Sequence, residues 1–74
     1  MTLSNLQVGQ SASIVSMPSN HDITAHLMEQ GFTVSTIVTL MHKAPFSGLI
    51  AVAFDGTKVA ISRSLAKQIG VVVE

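Results

Sequence analysis

The chain has no cysteine, tryptophan or tyrosine, only three phenylalanines and two prolines, and just four basic and four acidic side chains besides histidine. Without cysteine there is no disulfide and no thiolate metal site, and no His grouping has the spacing of a structural zinc centre. A chain of 74 residues hides only roughly 60% of the surface its unfolded form exposes. With the usual staples of small domains missing, closure of a sheet or self-association is the expected source of stability. A formal net charge of zero provides no basic stripe for phosphates, and no aromatic cluster is available to stack on bases, so nucleic acid is not an expected partner. No apolar run reaches the about 20 residues that span a bilayer. The start, MTLSNLQVGQ, lacks both the basic beginning and the apolar stretch of a signal peptide. With no basic amphipathic helix either, direct membrane insertion is not expected and a cytoplasmic location is.

What is abundant is apolar. Hydrophobic residues make up 47% of the chain, mean hydropathy is +0.52, and charged residues are only 11%, against about 25% in ordinary soluble domains. Such a surface is poor in ions, and extended apolar surface marks interaction sites. A dedicated protein partner is therefore expected, along with weak or concentration-dependent homo-oligomerisation.

No repeat, low-complexity tract or charge block interrupts residues 1–74, so the chain is expected to be a single domain. Leu3 and Leu6 flank a short turn, and residues 11–17 have the β character of a first strand that Pro18 stops. A helix is predicted over 19–31, capped by Ser19 with Asp22 three residues on and terminated by Gly31. Ile23, Leu27 and Met28 form its apolar face, while Thr24 and Gln30 look outward. Residues 36–42 alternate as a strand with Val38 and Leu40 inward.

The strongest local signal is Asp55-Gly56, a two-residue hairpin turn between strands 49–54 and 57–62. That turn fixes the register, setting Phe54 against Thr57, Val52 against Val59 and Ile50 against Ile61. The large apolar side chains then share the core face. The other face carries Leu49, Ala51, Ala53, Lys58, Ala60 and Ser62, too apolar for open solvent, and is expected to be covered by the helix over 19–31, by strand curvature or by another molecule. Ser62 caps a helical turn running to Ile69, Gly70 ends it, and Val71 to Val73 form a last strand. Five short strands, one mid-chain helix and a late helical turn make a mainly β fold, and a small, strongly bent barrel suits them best.

Between strands lies "HKAPFSGL", residues 42–49, where Pro45 stiffens the bend and Gly48 releases it. One of only three phenylalanines, Phe46, is placed on that bend. It is either a lid on the core or a handle for a partner.

Four stretches, "LSNLQVGQSASI" at 3–14, "HLMEQGF" at 26–32, "APFSG" at 44–48 and "DGTKVAISRSLAKQI" at 55–69, together make the chain resemble the ferrous iron transport protein A (FeoA) family. That family consists of SH3-like domains, a type that also ends some iron-dependent repressors, and the resemblance covers essentially the whole length. The chain departs from it after the helix, where Gly31-Phe32-Thr33-Val34 replaces a Gly-Leu-Thr-Pro type of turn, and at Phe46-Ser47-Gly48. The resemblance implies an SH3-like five-stranded barrel and a non-enzymatic cytoplasmic accessory of ferrous iron uptake. It also implies a partner, the FeoB-type permease with its cytosolic GTPase-like part, which would hold the domain at the inner face of the membrane. The residues expected to meet that partner are Ala44, Pro45, Phe46, Ser47, Gly48, Leu27 and Phe32.

No nucleophile, base and orienter form a recognisable catalytic motif, and no Gly-rich phosphate loop precedes a helix. For metal, His21 and His26 are about 140° apart round a helix and cannot share an ion. His26 and Glu29, three apart on one face, with His42 as a third ligand, are the available Fe2+ set. Surface histidines are the simpler reading, and no cofactor is expected. Met17, Met28 and Met41 are expected as packing filler. A direct Fe2+ carrier or sensor and a peptide-binding SH3-like module stand as alternatives to the accessory role.

Overall fold

The computed structural model describes residues 1–44 and 48–74. A 3-10 turn, Leu3–Asn5, leads to β1 (Ser11–Ser16), helix α1 (His21–Glu29), β2 (Ile37–Lys43), β3 (Leu49–Phe54), β4 (Thr57–Ser62), the short helix α2 (Arg63–Ala66) and β5 (Gly70–Val73). The strands form one antiparallel sheet in the order β4-β3-β2-β1-β5. The fold is therefore mainly β, five strands with one helix and a short helical turn, as the sequence led us to expect.

The β3–β4 hairpin obeys its turn. Asp55 and Gly56 take φ of 49° and 72°, the left-handed pair a type I′ turn demands. The register sets Phe54 against Thr57, Val52 against Val59 and Ile50 against Ile61. Val38, Leu40, Ile50 and Val52 are all fully buried. From the other strands and turns Leu3, Leu6, Ile14, Ile69 and Val71 join them, and no polar or charged residue among those described is buried with them. Removing such a side chain from water contributes about 1.5–3 kcal/mol.

One expectation about the sheet is corrected. No ladder joins β4 to β5, so the sheet is not closed and "barrel" describes only its curvature. The 3-10 turn and α2, which pack against each other, bring Leu3 and Ala66 into the core instead of a closing strand pair. Leu3 donates its N–H to Ile69 and Val71 donates to Met1, both at 2.9 Å, so the first residues cover the outer edge of β5. The outer face of the hairpin is open among the described residues, with Leu49, Lys58, Ala60 and Ser62 exposed and Ala51 and Ala53 half-buried, so of the covers expected for it helix α1 is not one.

Helix α1 is shorter than its sequence signals suggested, and its cap is Asn20, not Ser19. The Asn20 side-chain Oδ1 accepts from the N–H groups of Asp22 at 2.9 Å and Ile23 at 3.1 Å. Leu27 is the helix's only buried residue. The end is a Schellman motif, with Phe32 N–H donating to Leu27 O at 2.9 Å and Gly31 N–H to Met28 O at 3.0 Å. Gly31 holds φ +101°, and a Cβ there would sit 2.6 Å from Phe54 Cε2, so both backbone and space demand glycine.

Candidate functional site

Two N-caps set the walls of the main concavity. Asn20 starts α1, and Ser62 starts α2 by accepting from Leu65 N–H at 3.1 Å. Between the helices opens a cleft of about 570 Å³ lined by Asp22, Ile23, His26, Leu27, Ser62, Ser64, Leu65 and Gln68. Its floor is apolar, since Ile23 and Leu27 lie one helical turn apart on α1 and Leu65 faces them from α2. Its rim is polar. Asp22 and His26, also one turn apart, stand on the α1 side, and Ser64 and Gln68 on the other. Leu27 seals the base at 2% exposure while Ile23 remains 36% exposed. Such a shape can seat an apolar side chain while the rim positions its neighbours.

The residues anticipated for partner contact divide into three groups. Leu27 and Phe32 are core, and Phe32 packs edge-to-face on Phe54 with ring centroids 4.8 Å apart. The Schellman motif turns Phe32 inward over the helix end, and Leu27 reaches the partner surface only as the floor of the cleft. Ala44 and Gly48 are half-buried at the base of the β2–β3 connection. There Ala44 N–H donates to Leu49 O at 3.0 Å and Gly48 O accepts from Arg63 N–H at 2.6 Å. Pro45, Phe46 and Ser47, and with them the choice between lid and handle, lie outside the described residues.

The metal set is not assembled. His26 lies on the cleft rim, Glu29 does not line the cleft, and His42 is on β2 opposite Ala51. Among the described residues no three of His, Cys, Asp and Glu come together as a metal site. Of the methionines, Met17 packs against the core, but Met28 and Met41 are 54% and 42% exposed and are not filler. Ile23 lies on the apolar face that the sequence gives the helix, and Leu65 of α2 meets it across the cleft, a meeting of faces that the sequence did not reveal. Their common signal is position, one on each side of a capped helix start, and only the tertiary fold brings them together. Among the described residues no helix is long and apolar enough to cross a membrane.

With this geometry in hand, comparison with known proteins is informative. The model of the FeoA domain matches residues 1–73. The solution structure of the FeoA protein from Chlorobium tepidum superposes with a TM-score of 0.91 at 26% identity, covering 99% of this chain and 70% of that one. A crystal structure of an iron uptake regulatory protein (FeoA) gives 0.90 at 23% identity, covering 100% and 97%. A manganese-dependent transcriptional repressor in complex with manganese gives 0.93 at 20% identity, the match spanning 100% of this chain but only 36% of the repressor, a likeness of fold. Comparison with curated proteins gives no match.

Proposed function

The chain belongs to the FeoA domain family, matched over residues 1–73, and from that premise we propose that it is a cytoplasmic accessory of ferrous iron uptake that docks on the cytosolic part of a FeoB-type permease. FeoA domains are non-catalytic accessory domains of iron transport. The observation that carries the docking reading is the cleft itself, an apolar floor left open with Ile23 36% exposed at its mouth. In a chain with so few charges, an apolar hollow between two capped helices is the surface best suited to receive an anchoring side chain. The rim groups Asp22, His26, Ser64 and Gln68 then orient the partner segment.

Gly48 O accepts from Arg63 N–H at 2.6 Å, which ties Gly48 to the first residue of α2, beside this surface. A direct Fe2+-carrier reading has no assembled ligand set among the described residues to support it.

Capture of the permease's cytosolic domain by the wild type, Ile23→Glu and Phe46→Ala tests the proposal. Ile23→Glu places a charge on the open floor and is expected to weaken capture by about thirtyfold or more, the equivalent of an anchor worth about 2 kcal/mol, with its circular dichroism and thermal midpoint unchanged. If Phe46 is a handle, Phe46→Ala also loses capture at unchanged stability. Wild-type capture by a folded Ile23→Glu variant would remove the cleft from the account.

A further inference from the structure

Of the two edges of the open sheet, one is protected and one is not. On β5 the Met1 to Leu3 segment takes the outward groups, through Val71 N–H to Met1 O, Leu3 N–H to Ile69 O and the Thr2 bridge to Gly70. On β4 nothing comparable is present. The two-residue turn makes Phe54 and Thr57 a hydrogen-bonded pair. The alternation of an antiparallel ladder then makes Ala53 with Lys58, and Ala51 with Ala60, pairs that do not bond each other. The N–H of Arg63 on Gly48 O at 2.6 Å keeps the same alternation at the far end. The backbone N–H and C=O of Lys58 and Ala60 therefore point off the sheet. Neither forms another hydrogen bond among the described residues. Both residues are exposed, and Val59 between them is half-buried and packed on the core.

We propose that this edge pairs with the same edge of a second copy of the chain, antiparallel about a twofold axis at Val59. In that register Lys58 faces the partner's Ala60 and Ala60 faces the partner's Lys58, each pair exchanging both N–H···O bonds. Val59 meets the partner's Val59 on the inner face, extending the two cores toward each other. Neighbouring registers are worse. An axis at Lys58 sets two lysines opposite each other, a like-charge pair that destabilises a ladder. An axis at Ala60 engages Ser62, the cap residue from which the chain turns into α2. The twofold symmetry favours a second copy over an unrelated strand, since this register sets no like charges opposite each other and brings the half-buried Val59 against its own copy. Edge lysines commonly discourage such pairing, and one Lys58 per strand, set opposite alanine, limits the dimer to concentration-dependent association. The inference is independent of the permease, because none of Lys58, Val59 and Ala60 lines the α1–α2 cleft.

The test uses the intact chain in a mixture of isotope-labelled and unlabelled copies, from low-micromolar to millimolar concentration. Sedimentation equilibrium is expected to show a monomer–dimer equilibrium, and isotope-filtered NMR to show contacts between the Val59 methyl groups of the two copies. Ala60→Pro removes an N–H that faces away from β3, a place where an edge strand accepts proline, and deletes two symmetry-related bonds. Its dimer is expected to weaken by about thirtyfold. Lys58→Thr keeps every backbone bond, removes the edge charge and is expected to tighten the dimer, so the inference does not depend on the proline variant folding. A wild type monomeric at millimolar concentration would overturn it, as would inter-copy contacts away from β4 or a dimer that Lys58→Thr leaves no tighter.

Discussion

Gly31 shows how much a single position can decide. It ends α1 in the left-handed region with φ +101° and lets Phe54 close over the helix end, 2.6 Å from where a Cβ would stand. Gly31→Ala is expected to cost at least about 1–3 kcal/mol, the combined effect of a disfavoured φ and a displaced ring, read as a lower denaturant midpoint at unchanged slope. Leu27 is a second such position. Its motif suggested a docking residue, yet it is fully enclosed at 2% exposure. Leu27→Ala is expected to cost about 2–5 kcal/mol, so a Leu27 variant that loses its partner reports damage to the fold, whereas Ile23→Glu reports the surface. Glycine at a helix end was legible because positive φ is a local demand. The exposure of Met28 and Met41 was not, because periodicity in a helix or a strand gives a face without saying how far the neighbouring elements reach over it.

Among the elements, the β3–β4 hairpin was fully readable, since Asp55-Gly56 dictates turn, register and facing side chains within a dozen residues. The helix was readable in place but not in its start. Ser19 and Asn20 are both good caps by type, and what selects Asn20 is tertiary: Thr24 Oγ1 donates to Pro18 O at 2.6 Å, which holds the preceding chain extended and leaves Asn20 over the first free N–H groups. Asn20→Ala is therefore expected to cost about 1 kcal/mol, while Ser19→Ala stays within about 0.5 kcal/mol. Equilibrium urea unfolding of the two variants distinguishes the caps, and equal losses would contradict the assigned start. Helix α2 was anticipated through its Ser62 cap, and the structure confirms that cap while ending the helix at Ala66.

For the whole molecule, the sequence conveyed a small β domain with a surface poor in ions, and family membership bears out the fold. What it did not convey is where the sheet stays open and where the two helices leave a hollow, because both depend on residues far apart in the chain. The gap between β4 and β5 is filled by the N-terminal turn and α2, and the same placement of α2 brings Leu65 opposite Ile23 across the cleft. The fold thus builds its candidate docking site from the device that replaces barrel closure. The most direct test is an NMR titration of the labelled chain with the cytosolic part of a FeoB-type permease. The account expects saturable amide shifts concentrated at Ile23, His26, Ser64, Leu65 and Gln68. Silence at saturating partner, or shifts confined to the far side of the sheet around Ile37 and Val72, would contradict it.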